Sequence, residues 1–273
     1  MLGRWGFALM SSSSPTLVVW MLRFLQAVGG LAQLTGQTFA AALNGGFSSR
    51  WQRRELVYQL EAVAIRSLTI AILTAAFSSM VMTVQFAVQM SRFGVKEYVS
   101  SVVSLSLVRE LGPVLTALLV GGRVGAGIAA ELGSMRVTEQ VDAIRAMGAD
   151  PIRKLVVPRV AATTLALPLL TVFADILGVL GAMIVARVGS GVGMTLFLES
   201  MLHSVALEDV MHGLVKTVFF GFLLGLIACH KGLSTTGGTE GVGRATTETV
   251  VVTSLVTLCV DFVLTNLLLG FGL

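Results

Sequence analysis

The sequence predicts an all-α integral membrane protein with an N-terminal interfacial helix, about five transmembrane helices and a short cytoplasmic helix. Of the 273 residues, 55% are hydrophobic and 12% are charged, whereas soluble proteins average about 25% charged residues. The apolar residues form runs long enough to cross a bilayer, which needs about 20 residues per helix. One bundle of such helices accounts for the chain without a separate soluble domain.

The N-terminal region, residues 1–49, is predicted to contain a tail followed by a helix that lies in the membrane interface. Apolar residues recur at helical spacing after Pro15, while Arg23 and Gln26 interrupt the other side of the same helix. A true membrane span is the alternative, since the segment to Leu43 carries a single charge. The remaining residues, 50–273, form the predicted membrane domain.

The five predicted spans are residues 62–93, 99–130, 155–186, 210–228 and 250–269. Lys and Arg are concentrated in the loops of one side, and we count three on the other side, Arg92, Lys96 and Arg187. Because positive residues favour the cytoplasmic side of a membrane, the N-terminus is predicted to lie inside and the C-terminus outside.

The outer half of the first predicted span, MVMTVQFAVQM, mixes Met and Phe with Gln and Thr. Ordinary helix packing explains such a composition. The alternative is an adaptable apolar wall for a flexible acyl chain, since Met side chains fit irregular shapes.

Arg109 and Glu110 lie within the second predicted span, and Asp175 lies within the third. Ionisable residues at membrane depth are expensive and usually face partners, water or a transport pathway. A structural ion pair, or snorkelling at a helix end, remains the alternative for Arg109 and Glu110.

The segment Ser134–Gly148 is too short and too charged to cross a bilayer. Val137, Val141 and Ile144 fall on one helical face, and Glu139, Asp142 and Arg145 fall on another. This pattern predicts a short amphipathic cytoplasmic helix. It is either a solvated connector or an element that fits the groove of a soluble partner.

Several chemistries lack their motifs in this sequence. It contains no G-x-x-x-x-G-K-[ST] loop for nucleotides and no H-E-x-x-H zinc motif. Cys229 and Cys259 lie in apolar runs without metal-ligand spacing, so they are interpreted as core residues. We therefore predict no bound metal or cofactor and no ATP hydrolysis by this chain, and no nucleophile-elbow pattern supports a Ser-His-Asp triad. The excess of basic residues is attributed to cytoplasmic loops and not to nucleic-acid binding.

A resemblance becomes specific in the run SLSLVRELGPVLTALLVGGRVGAGIAAELGSMRVTEQVDAIRAMGADPIRKLVVPR, followed by GVGRATTETVV and CVDFVLTNLLLG. These ordered motifs resemble MlaE-type permeases, the membrane subunits of ABC transporters associated with MCE-domain proteins. The resemblance implies a permease homodimer that moves phospholipid or another hydrophobic substrate between membranes. It also implies separate cytoplasmic ATPase subunits that use ATP, and a location in a bacterial inner membrane or a plastid inner envelope.

The resemblance also implies roles for individual residues. A coupling helix seated on the ATPase would contain Glu139, Gln140, Asp142, Ala143, Arg145 and Met147. Arg109 and Glu110 match the R-E-L-G-P motif and would lie near a lipid pocket between protomers. Met82, Gln89, Met90 and Phe93 are further candidates for the pocket wall, chosen from their position and chemistry.

Two other function classes remain open from the sequence. An ion-coupled secondary transporter would place paired ionisable residues at the midplane and often shows two related halves, but no internal repeat is evident. A structural membrane scaffold would explain the spans but not the amphipathic cytoplasmic helix.

Overall fold

The computed structural model describes residues 17–43 and 50–270, which are helical apart from short connections. The predicted tail before residue 17 lies outside the described residues. The helices are α1 (Leu17–Leu43), α2 (Arg50–Arg92), α3 (Val99–Ser106), α4 (Gly112–Val137), α5 (Gln140–Ala146), α6 (Val157–Ser190), α7 (Met194–Ser204), α8 (Leu207–Leu233) and α9 (Gly238–Gly270). A 3₁₀ turn covers Lys96–Tyr98, and π-helical turns cover Leu107–Leu111 and Ile152–Val156.

Five helical segments are long and apolar enough to cross a membrane, which confirms the predicted all-α fold with five spans. They are Arg50–Arg92, Lys96–Val137, Ile152–Gly189, Leu207–Leu233 and Gly238–Leu268. Since successive spans are antiparallel, the start of α2, the α4–α6 connection and the α8–α9 turn lie at one end of the bundle, here called the basic end. The opposite end, with α7, is called the outer end.

The last span begins earlier than predicted. Residues 238–249, expected to be a polar loop before the span, form the first three turns of α9. Within this segment Thr249 is buried against Gly125 of α4, Ala245 is buried, and Val242 lies against Gly133 of α4. Small side chains on both helices permit this close approach, so a segment with weak hydropathy is stabilised as a helix by its packing.

The predicted amphipathic helix is shorter than the segment Ser134–Gly148. Residues 134–137 complete α4, and α5 begins only at Gln140 because Glu139 adopts the left-handed conformation with φ of 59°. Val141 and Ile144 are buried as expected, whereas Val137 is exposed on α4.

One proline, Pro113, leaves a backbone carbonyl group of the π-helical turn at Leu107–Leu111 without its helical hydrogen bond. Pro113 has no N–H to donate, so the carbonyl oxygen of Arg109 lacks the usual helical partner. The ammonium group of Lys216 lies 3.4 Å from that oxygen and donates to it. The irregular turn therefore brings a carbonyl group and a lysine of α8 together.

Glycines determine how closely α8 approaches its neighbours. A Cβ atom on Gly221 would lie 2.5 Å from the carbonyl oxygen of Thr163 on α6. A Cβ atom on Gly225 would collide with the side-chain oxygen of the same threonine. Gly213 contacts the carbonyl oxygen of Val108 in the π-helical turn. These backbone contacts leave no space for a side chain on this face of α8.

The α1 helix packs against the basic end of the bundle. The rings of Phe39 and Phe222 lie 5.4 Å apart, and Gly30 lies against the imidazole of His230. The interfacial position of α1 stays a prediction.

We predict that Gly221→Ala lowers the thermal unfolding midpoint of the detergent-solubilised protein. The new methyl group would collide with a backbone oxygen, and overpacking of this kind costs roughly 1–3 kcal/mol. Gly127→Ala is the control, because no atom lies within 4 Å of the position that its Cβ would take. Equal midpoints for the two variants would contradict the proposed backbone contact.

Candidate functional site

Five charged side chains from the π-helical turn, α8 and α9 lie close together in the outer half of the bundle. Lys216 of α8 is completely buried, and its ammonium nitrogen lies 2.7 Å from Glu110 Oε2 and 3.2 Å from Asp261 Oδ1. The same nitrogen donates to the Thr265 hydroxyl at 2.7 Å. A buried ammonium requires such partners, because an unpaired charge at this depth is unfavourable.

A second ion pair joins Arg109 to Asp209 at the start of α8. The other carboxylate oxygen of Asp209 accepts a hydrogen bond from the backbone N–H of Ala206 at 2.7 Å. Asp209 therefore fixes the first turn of α8 and holds the guanidinium group at the same time. The π-helical turn lets neighbouring residues, Arg109 and Glu110, reach different parts of α8.

Part of this charged cluster is accessible. The side chains of Glu110 and Arg109 are 39% and 28% exposed, whereas their partners on α8 are buried. We call this exposed pair the polar edge. The ionised cluster would hold two positive and three negative groups, Arg109 and Lys216 against Glu110, Asp209 and Asp261. It offers hydrogen-bonding and charged groups of both signs beside an apolar surface.

Sequence reasoning identifies the polar edge but not the residues that hold it. In the sequence, Lys216 is only a charge near the start of the fourth predicted span, and Asp209, Asp261 and Thr265 are not among the predicted site residues. The available signal is the presence of isolated ionisable residues in otherwise apolar spans. Asp209 and Lys216 are also seven residues apart, which places them on one helical face.

The predicted wall residues lie on the outer part of α2 and, for Phe93, in the turn that follows it. Met90 packs against an apolar cluster with Val99, Val103 and Phe197, and Met82 is half-buried. Gln89 and Phe93 are exposed, with 78% of Phe93 accessible. Their contribution to a lipid pocket stays a prediction.

Asp175 of α6 faces a different environment from the charged cluster. It lines a largely apolar cavity of about 300 Å³ together with Ser104 and Val108. One of its carboxylate oxygens has no hydrogen-bond partner among the described residues and lies against Gly112, where a side chain would collide with it. Gly112 is thus needed for the position of this carboxyl group.

The predicted coupling residues lie at the basic end, on and beside α5. Asp142 accepts hydrogen bonds from Arg136 at 2.7 Å and lies 3.7 Å from Arg145. Val141 and Ile144 anchor α5 in the main apolar core. The other predicted residues point away from that core and are exposed: Glu139, Gln140, Ala143, Arg145 and Met147. The short helix therefore presents a surface suitable for a protein partner, although its coupling role stays a prediction.

Comparison with known proteins identifies the family of the chain. Residues 56–267 match the model of the family described as permease MlaE. A probable ABC transporter permease protein of Synechocystis is 42% identical over 249 residues, which cover 91% of each chain. The intermembrane phospholipid transport system permease protein MlaE of Haemophilus influenzae is 38% identical over 218 residues, covering 80% of this chain and 84% of the relative. The chloroplastic protein trigalactosyldiacylglycerol 1 of Arabidopsis thaliana is 36% identical over 233 residues, covering 85% of this chain and 65% of the relative.

We predict that Lys216→Met strongly destabilises the protein, because it leaves two carboxylates without their shared cation. Removal of one partner from a buried ion pair typically costs roughly 3–5 kcal/mol. The measurement is thermal or chemical unfolding in detergent.

Lys231→Met is the matched control for this test. It removes a pair of the same length, 2.7 Å to Glu248, in which both side chains are partly exposed, and exposed pairs contribute about 0–1 kcal/mol. Equal destabilisation by the two substitutions would show that the burial of Lys216 does not increase the contribution of its ion pairs to stability.

Proposed function

Since the chain belongs to the MlaE permease family, it is the transmembrane subunit of an ABC transporter, and we propose that its cargo is a phospholipid or a similar amphiphilic lipid. A separate subunit hydrolyses ATP. Two relatives support the proposed cargo by their names, since one is called a phospholipid transport permease and another is named after a galactolipid.

The observation that carries the proposal is the polar edge formed by Arg109 and Glu110. A lipid combines a polar headgroup with hydrocarbon chains, so its site needs charged or hydrogen-bonding groups beside an apolar surface. The polar edge, which is partly exposed, supplies the charged groups. The apolar residues of α9, among them Leu258 and Phe262, are exposed near Asp261 and supply the apolar surface.

We propose that the lipid pocket is completed by a second copy of the chain. In one protomer, α9 packs mainly through its threonine face and leaves large apolar side chains exposed, among them Leu255, Phe262 and Leu267. The wall of the pocket at the outer end would then be formed by Met82, Gln89 and Met90 of α2 and by Phe93 just after it. A homodimer of this kind would enclose the polar edge between protomers.

The proposed movement starts at the ATPase and ends at the polar edge. ATP binding closes the ATPase subunits, and α5 transmits the movement because Val141 and Ile144 fix it to the main core. The α4 helix connects α5 to the π-helical turn that carries Arg109 and Glu110. A change in the angle of α4 would therefore alter the position of the polar edge. The chain itself forms no covalent intermediate.

We further propose that an MCE-domain protein receives or delivers the lipid at the outer end. The family resemblance supports this partner. The membrane is proposed to be a bacterial inner membrane or a plastid inner envelope, in line with the bacterial and chloroplastic relatives.

We predict that Glu110→Ala reduces lipid co-purification and ATP-dependent lipid transfer several-fold while complex assembly is retained. The substitution removes the partly exposed carboxylate of the polar edge, and Asp261 remains as a counterion for Lys216, so the fold is retained. Lipid is measured by mass spectrometry of the purified complex, and transfer is measured between vesicles. Glu61→Ala, which removes an exposed carboxylate of α2, is the control, and unchanged lipid loading in Glu110→Ala would exclude this residue from the site.

We predict that Glu139→Arg uncouples ATP hydrolysis from lipid transfer. The residue is exposed beside α5, so charge reversal alters a contact surface without changing the core. The ratio of lipid transferred to ATP hydrolysed should fall in the reconstituted complex. Glu199→Arg on the exposed surface of α7 at the outer end is the matched charge reversal, and the assignment fails if both variants retain the wild-type ratio.

A further inference from the structure

We infer that a groove at the basic end, between α1, α2, α6 and α8, binds one acyl chain of an anionic membrane lipid whose phosphate group lies against Lys154 and Arg53. This site lies in the opposite half of the bundle from the polar edge. The inference does not depend on the identity of the transported lipid.

The groove is a cavity of about 330 Å³ with an apolar wall. Its residues include Phe39 of α1, Leu56 of α2, Val157 and Leu165 of α6, and Phe222 of α8. It follows α6 from Val157 to Leu165, which corresponds to about 12 Å of helix at 1.5 Å per residue. This elongated shape suits a hydrocarbon chain.

The few polar atoms in the wall already have partners. The Thr38 hydroxyl donates to the carbonyl oxygen of Leu34 at 2.7 Å, and the Thr164 hydroxyl donates to the carbonyl oxygen of Val160 at 2.7 Å. A polar ligand group would therefore gain no free partner inside the groove and would lose hydration. The part of the ligand that enters must be apolar.

Basic side chains lie one helical turn from the groove, toward the basic end. Lys154 precedes Val157 by three residues, and its ammonium group lies 5.5 Å from the centre of the Trp51 ring. Arg53 precedes Leu56 by three residues and is exposed. Arg53 and Leu56 lie three apart on one face of α2, and the contact with Trp51 places Lys154 beside the start of the same helix, so both cations lie at the basic end of the groove.

In the described part of the chain, neither of the nearest acidic side chains in the sequence forms an ion pair with Lys154 or Arg53. Asp150 accepts a hydrogen bond from the backbone N–H of Ile152 at 2.9 Å, and Glu55 accepts one from Gln59 at 3.0 Å. Among the described residues, no ion pair involves Lys154 or Arg53. Their charge is thus available to an external anion.

Three features together favour a lipid over a soluble anion as the ligand. They are the apolar wall of the groove, the basic residues Lys154 and Arg53 beside it, and Trp51. Basic pockets between helices on the cytoplasmic side are suited to anionic headgroups, and Trp prefers the level of the headgroups. A bound chain would fill the space between α1 and the bundle. The lipid would therefore hold α1 in place.

The test uses Trp51 as a reporter of lipid at the groove. The chain contains three tryptophans, so Trp5→Phe with Trp20→Phe leaves Trp51 alone. The full chain, with an ATPase subunit whose own tryptophans are replaced by phenylalanine, is reconstituted in vesicles that contain either phosphatidylglycerol or phosphatidylcholine with brominated acyl chains. Bromine quenches tryptophan fluorescence only at close range. The mole fraction of brominated lipid at which Trp51 fluorescence falls by half therefore reports lipid binding near Trp51.

We expect brominated phosphatidylglycerol to quench Trp51 at a much lower mole fraction than brominated phosphatidylcholine. Each basic residue near the membrane surface should contribute roughly a fivefold preference. The double substitution Lys154→Glu with Arg53→Glu should abolish the preference. Arg187→Glu, a charge reversal at the exposed outer end, should leave it unchanged.

A second pair of variants tests the groove itself. Ala161→Phe places a ring in the groove wall and should reduce quenching by phosphatidylglycerol several-fold. Leu169→Phe, on an exposed part of the same helix, is its control. Gel filtration of each variant establishes folding, and if the double reversal does not fold, Lys154→Gln with Arg53→Gln is used.

Equal quenching by the two lipids would overturn the inference, as would equal behaviour of Ala161→Phe and Leu169→Phe. Weak quenching by both lipids would also overturn it, because a protein partner would then cover the groove. Failure of lipid transfer assays would leave these results unaffected, since the reporter measures binding at the basic end.

Discussion

The outer half of this bundle depends on the neutralisation of one buried ammonium group. Lys216 lies on α8, and its partners Glu110 and Asp261 come from the π-helical turn and from α9. An unpaired lysine in this apolar position would be strongly unfavourable, so the three segments must meet at one point. Gly213 of α8 makes part of this contact geometrically possible, because it lets the backbone of the π-helical turn approach at Val108. Stability and the position of the polar edge are thus consequences of the same contact.

Hydropathy is sufficient to predict five spans, since long apolar runs have few alternatives to a membrane helix. The ends of the helices are harder to predict, because α9 begins in a polar segment that is helical through its packing against α4. The left-handed Glu139 similarly shortens the amphipathic helix. Of the charged cluster, only Arg109 and Glu110 are predicted as site residues from the sequence. Their partners are about one hundred or more residues away in the chain, and local periodicity carries no information about such contacts.

The two ends of the bundle present different surfaces to the surrounding membrane and proteins. At the outer end, Arg109 and Glu110 combine both charges beside apolar residues. At the basic end, Lys154 and Arg53 lie beside a groove, and α5 exposes a face suited to a protein partner. The α4 helix links the two ends directly, since it begins at the π-helical turn and ends beside α5. A rearrangement at one end of the bundle can therefore be transmitted to the other end through α4.

The position of Lys216 also constrains how the protein is made. Chains emerge from the ribosome with their N-terminal segments first, so Glu110 is already present when Lys216 enters the membrane, whereas Asp261 is not. The earlier carboxylate can accompany the lysine during insertion, and the later one completes the cluster only when α9 arrives. The order of the charges along the chain thus provides a counterion at the stage of biosynthesis at which it is first required.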